Sequence, residues 1–200
     1  MPVNKLNLDL PKYSYLKPLV DNRLKIVEEY NEMKTNPEYT NHFFVQNWNL
    51  LCLQNIREGV TDNIKNFPVI SEFIDNLPDN KKMITLVVSV MKYGDTVWHA
   101  EEWTRERGFY RIHIPLNNVE GASIAVEEEG GEVINYTYEL GNAYQFANPY
   151  DMHKPSNYNE SGNTRLLVMI DLIDSDENPE VDDELLQSKY PIEMFTTAPT

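Results

Sequence analysis

Two short, almost unbroken apolar runs, ITLVVSVM at residues 84–91 and RLLVMIDLI at 165–173, restrict the fold of this chain more than any other feature. Runs of this kind are expected of strands buried inside a sheet that is covered on both faces. RIHIPL (111–116) alternates instead, placing Arg111 and His113 on one face and Ile112 and Ile114 on the other. Shorter strands are expected at 122–126 and 132–138, on either side of an acidic, glycine-containing turn at 127–131. The turn Leu140-Gly141-Asn142 leads into AYQFAN, and HFFVQNWNLLCLQNI (42–56) supplies one or two strands around Gln46-Asn47. His153 is followed by a polar segment, 154–163, that reads as a loop.

The N-terminal third carries a different period. Residues 1–16, with Pro2 and Pro11, form an extended strand or arm. After Pro18, Val20, Leu24, Val27 and Tyr30 recur at helical spacing with Lys25, Glu28 and Glu29 toward water, and Asn36-Pro37 ends the helix. Phe67-Pro68 opens a second helix whose apolar stripe is Val69, Ile70, Phe73, Ile74 and Leu77. Helices followed by seven or eight short, turn-punctuated strands predict a mainly β domain closed as a small barrel or jelly roll. The domain spans 1–174, and an acidic segment (175–200) follows it.

Charge and cysteine content narrow the partners. A net charge of -15 and no Lys/Arg cluster exclude a nucleic-acid surface and disfavour an anionic membrane. No apolar run reaches the roughly 18 residues of a membrane span. The N-terminus lacks a signal peptide's apolar core, and Cys52 is the only cysteine, so no internal disulfide forms and a cytoplasmic location is expected.

The chemistry concentrates in two segments. His99 and Glu101 form a His-x-Glu pair, and on a strand both would project to one face. His153, brought from a distant strand, would complete two imidazoles and one carboxylate. Such a set suits non-haem Fe(II) and leaves positions open for a co-substrate and O2. Arg165, on the strand after the second histidine, would place a fixed cation in the same cavity. A buried arginine needs an anion.

The order of these pieces resembles the aspartyl/asparaginyl β-hydroxylase family of 2-oxoglutarate- and Fe(II)-dependent dioxygenases, which includes hydroxylases of free proline. The shared order runs from an apolar strand and a Tyr-Gly turn through His-x-acid and Arg-x-His-x-Pro-Leu. It continues with Leu-Gly-Asn-x-Tyr-x-Phe, a histidine, and Thr-Arg before an apolar strand containing Asp, over about residues 42–173. The resemblance implies a double-stranded β-helix, the cupin-like jelly roll. It implies His99, Glu101 and His153 as iron ligands, with Glu where the family more often has Asp. Arg165 would hold the distal carboxylate of 2-oxoglutarate, and Arg111, His113 and Ser89 would line the co-substrate pocket. The implied reaction hydroxylates a small amino acid or an amino-acid side chain, releasing succinate and CO2. One of Arg105, Arg107 and Arg111, which cluster beside the His99 loop, would serve as the clamp for a small carboxylate-bearing substrate, a peptidyl one being the alternative. Two other readings stay open: a cupin-like metalloprotein without 2-oxoglutarate chemistry, and a non-catalytic binding or structural barrel.

Overall fold

The computed structural model describes residues 3–35, 47–100, 110–117, 120–128, 130–146 and 151–176. Asn36-Pro37, the start of the 42–56 segment, the region Glu101 to Gly108 with Trp103, Arg105 and Arg107, and the acidic segment from 177 onward lie outside them.

The described chain runs β1 (Val3–Lys5), α1 (Lys17–Asp21), α2 (Arg23–Met33), β2 (Trp48–Asn55), β3 (Gly59–Val60), α3 (Pro68–Asp75) and β4 (Lys81–Met91). It continues through β5 (Gly94–Asp95), β6 (Tyr110–Pro115), β7 (Ala122–Glu127), β8 (Val133–Tyr136), β9 (Tyr144–Phe146), β10 (His153–Asn157) and β11 (Arg165–Asp174). The strands form a seven-stranded sheet in the order β1-β9-β6-β11-β4-β2-β3 and a four-stranded sheet in the order β5-β10-β7-β8. The pairings are antiparallel. This is a double-stranded β-helix with N-terminal helices laid on its larger sheet.

The two apolar runs of the sequence are the centre of that sheet: β11 lies between β4 and β6, with Leu167 opposite both Ser89 and Pro115. Strand parity then divides the side chains. Leu86, Val88, Val90, Ile112, Leu166, Val168 and Ile170 meet the helices, where Leu19, Ile26, Ile70 and Phe73 cover them. Each such fully buried aliphatic or aromatic side chain contributes about 1.5–3 kcal/mol. Trp48, Leu50, Val87, Met91, Leu167 and Met169 point the other way, into the space between the sheets. The active side chains share that second face.

The helical third differs from its sequence reading. Asn22 (φ −97°, ψ 16°) interrupts the helix between α1 and α2, so the phase of the apolar stripe restarts there. Leu24, expected in the core, is 62% exposed, while Ile26, Tyr30 and Met33 are buried. Glu29, expected in water, is buried, and its Oε1 accepts the Val69 N–H at 3.4 Å, capping the first turn of α3. Residues 154–157 are strand rather than loop. Pairing with Ala122–Ala125 and with Gly94–Asp95 overrides their Pro/Ser/Asn composition. The Tyr93-Gly94-Asp95 turn thereby becomes an edge strand. Gly94 has φ +125°, and a Cβ there would lie 2.5 Å from Asn47 Nδ2, so only glycine fits.

Candidate active site

His153 begins β10, and His99 pairs with it as an isolated antiparallel bridge. The His153 N–H donates to His99 O at 2.8 Å and the His99 N–H donates to His153 O at 3.1 Å. Directly opposed residues project to one side of a ladder, which brings the rings together, 4.3 Å between centroids at 56°. His99 is thus held by a single bridge, not by the regular strand expected for it. The parity argument for Glu101 loses its support, and Glu101 itself lies outside the described residues.

Both imidazoles are oriented by backbone carbonyls. His99 Nδ1 lies 2.9 Å from Val97 O and His153 Nδ1 lies 2.8 Å from Asp151 O. A carbonyl only accepts, so Nδ1 carries the proton in each ring and Nε2 keeps its lone pair. That is the arrangement of a metal-ligating histidine, whose second nitrogen is anchored. His99 Nε2 is buried with no partner, as a ligand awaiting its metal would be. Among the described residues no group of three or more His, Cys, Asp or Glu side chains forms a complete metal site. Two imidazoles are present, and Glu101, expected from the sequence to add a carboxylate, lies outside the described residues.

Across the inner face lies a cationic end. Arg165 opens β11 opposite Met91 and is 6% exposed. Among the described residues no carboxylate pairs with it. Its contacts are Met91 Sδ at 4.0 Å and the face of Tyr138, 5.5 Å from ring centroid to Cζ. Burial lowers its pKa, but an arginine stays charged. His113 lies opposite Met169 and Tyr144, with Nδ1 2.6 Å from Tyr138 Oη and a buried, unpartnered Nε2. Burial first, then Arg111, Arg165 and His153, push its pKa well below the ordinary imidazole value. Ser89 is on the same face, its Oγ accepting the Trp48 indole N–H at 2.9 Å.

Arg111 shares this face but is engaged differently. Its Nε and Nη2 donate to Asp171 Oδ1 and Oδ2 at 2.7 and 2.9 Å, a bidentate pair across the β6–β11 ladder. Those donors are committed to the protein, which argues against Arg111 as the substrate clamp; the other two candidates, Arg105 and Arg107, lie outside the described residues.

Two aromatic residues that the sequence did not single out join the halves. Trp48 touches the His99 ring (5.6 Å) as well as Ser89, and Phe146 touches His153 (4.9 Å) and His113 (5.9 Å). Tyr138 was also missed. It lies two residues past β8, where no alternation marks it as inward-facing. Of the other aromatic residues near these segments, Tyr144 is buried, while Tyr93 and Trp98 are 53% and 37% exposed.

A double-stranded β-helix with anchored histidines at one end of its inner face and an open cation at the other belongs, as a class, with the iron- and 2-oxoglutarate-dependent oxygenases. The sequence matches the aspartyl/asparaginyl β-hydroxylase family over residues 15–175, and the chain belongs to that family. It is therefore an oxygenase enzyme with Fe(II) and 2-oxoglutarate as its cofactor and co-substrate. No curated protein matches the chain closely enough to count. Similar solved structures include an oxidoreductase of the 2OG-Fe(II) oxygenase family from Burkholderia pseudomallei, at 11% identity and TM-score 0.52 over 73% of this chain and 76% of that one. A prolyl hydroxylase from Trichoplax adhaerens, in complex with a hypoxia inducible factor peptide fragment, gives 10% identity and 0.52 over 90% and 87%. A Pseudomonas putida prolyl-4-hydroxylase gives 11% and 0.50 over 86% and 91%. At such identities the likeness is one of fold. No helix among the described residues is long and apolar enough to cross a membrane.

Proposed function

We propose that the protein is a hydroxylase of a small amino acid or an amino-acid side chain, with His99, His153 and Glu101 holding Fe(II) and Arg165 holding the distal carboxylate of 2-oxoglutarate. The observation that carries the reading is Arg165, a buried guanidinium with no carboxylate partner among the described residues, on the same face as His99 and His153, whose Nδ1 atoms are both anchored on backbone carbonyls. The donor set fits: neutral imidazole suits Fe(II), and a planar fork suits a carboxylate. When bound, iron and 2-oxoglutarate supply the oxidising chemistry, consuming O2, releasing succinate and CO2, and converting a substrate C–H to C–OH.

The chain's own residues bind and orient. Val97 O and Asp151 O fix both ligand tautomers, so no proton has to leave Nε2 when metal binds. Arg165 sits in a dry, largely apolar wall where a charge-assisted pair is strong, because little water competes for either partner. His113 and Ser89 border the same anion, and Arg111, held by Asp171, adds positive potential. Trp48 and Phe146 exclude water between the two halves. A cytoplasmic compartment suits a chain whose single cysteine, Cys52, is buried and unpaired.

Anaerobic loading with Fe(II) and 2-oxoglutarate, then admission of O2 with a panel of free amino acids and peptides, tests the proposal. Succinate formed in step with one hydroxylated member is expected. Metal binding with no 2-oxoglutarate turnover under any of them would leave a cupin-like metalloprotein of another class.

A further inference from the structure

We infer that Tyr138 is the positioning residue of the anion receptor: its hydroxyl selects the form of His113 that donates from Nε2, and its ring holds Arg165 in place without neutralising it. The inference rests on the proposed co-substrate anchor at Arg165.

The hydroxyl argument is an accounting of protons. Tyr138 Oη and His113 Nδ1 are 2.6 Å apart, and one proton lies between them. A neutral imidazole carries one N–H. If Nδ1 donated, the phenol proton would lack an acceptor and the buried Nε2 would be a bare acceptor, leaving two groups unsatisfied. If the phenol donates, only the Nε2–H is unspent. Buried polar groups avoid being orphaned, so the second arrangement wins. It turns the orphaned His113 Nε2 into a neutral donor suited to a carboxylate oxygen. Burial raises the Tyr138 pKa, so the phenol keeps the proton it donates, and burial first, then the two nearby guanidiniums, keeps His113 neutral.

The ring argument concerns charge. Arg165 needs a neighbour that orients it, yet a carboxylate there would consume the cation that the site requires. An aromatic face attracts a guanidinium and adds no net charge. Tyr138 is itself fixed. Its ring lies 4.8 Å from Tyr144, which pairs with His113 on the ladder, and the Glu139 N–H donates to Tyr144 Oη at 2.8 Å. One side chain from the end of the small sheet therefore reaches both groups of the receptor on the large one.

The test uses the full-length protein loaded with Zn(II) as a diamagnetic stand-in, compared with Tyr138→Phe and Arg165→Met. Imidazole 15N shifts report the His113 tautomer before any 2-oxoglutarate is added, and calorimetry gives the 2-oxoglutarate Kd. Wild type should show His113 protonated at Nε2. Tyr138→Phe should lose that preference and raise the Kd about two- to tenfold, the weight of one oriented hydrogen bond, while Zn(II) affinity holds and the thermal midpoint falls only by what one lost hydrogen bond costs. A wild-type His113 protonated at Nδ1 overturns the inference. So does a Tyr138→Phe protein with unchanged tautomer or unchanged Kd while Arg165→Met still weakens binding. An Arg165→Met protein with unchanged Kd overturns the anchor, and the role given to Tyr138 with it. Should Tyr138→Phe fail to fold, the wild-type tautomer decides.

Discussion

The two ends of β11 treat buried charge in opposite ways. At the C-terminal end, Asp171 closes on Arg111 and Asp174 closes on Lys81, all four residues buried. At the N-terminal end, Arg165 is as buried as these but faces a thioether and an aromatic ring. Removing a guanidinium from water costs several kcal/mol wherever it is done. At the first end a carboxylate of the chain offsets that cost, and the result is a rigid ladder. At the second end no carboxylate among the described residues offsets it, and this is the end we propose as the one that binds an anion. On that proposal, pairing marks architecture, and the charge left without a carboxylate among the described residues marks function.

The largest test of this contrast is Asp171→Ala. It leaves Arg111 buried without its carboxylate and should lower stability by about 3–5 kcal/mol. Chemical denaturation reads this directly, and a loss under about 1 kcal/mol would mean that the paired end is no more architectural than the open one.

Arg165→Met should act the other way round. Stability should hold or rise, since a desolvated charge is replaced by an apolar chain of similar length. The 2-oxoglutarate affinity should fall by about 2–5 kcal/mol, more than tenfold in Kd by calorimetry. A destabilised protein with normal 2-oxoglutarate affinity would reverse the assignment of the two ends.

Trp48→Phe sharpens the comparison at an intermediate scale. It removes the indole donor to Ser89 and keeps an aromatic ring beside His99, so about 1 kcal/mol of stability should be lost. A thermal scan with and without metal separates that loss from any effect on the histidine pair. The smallest effect belongs to Lys154→Ala. Its 2.7 Å pair with Asp95 is partly open to solvent, and such pairs are typically worth about 0.2–1 kcal/mol. A change as large as that of Asp171→Ala would show that exposure is not what separates these pairs.

Much of this molecule follows from local pattern. The period of two in RIHIPL places Arg111 and His113 on one face, and the apolar runs become the buried β4 and β11, because backbone geometry makes such alternation a property of a few consecutive residues. Pro68 and the stripe Val69-Ile70-Phe73 specify α3 for the same reason. Where a local signal was absent or misleading, the sequence reading slipped. Asn22 reset the helical phase and exposed Leu24, while HKPSN became strand only because β7 and β5 accepted it.

What the sequence by itself determined is the parts: which side chains are available, which strands are buried, and which residues of one strand share a face. Tertiary structure alone decided which of the two arginines buried among the described residues is closed by a carboxylate. Asp171 meets Arg111 through a register between strands about 60 residues apart, and Tyr138 reaches Arg165 from the end of the other sheet. Register and sheet closure arise from the packing of the whole core, so no stretch of the chain carries them, and an ion pair made or withheld across a sheet becomes visible only when the strands are side by side.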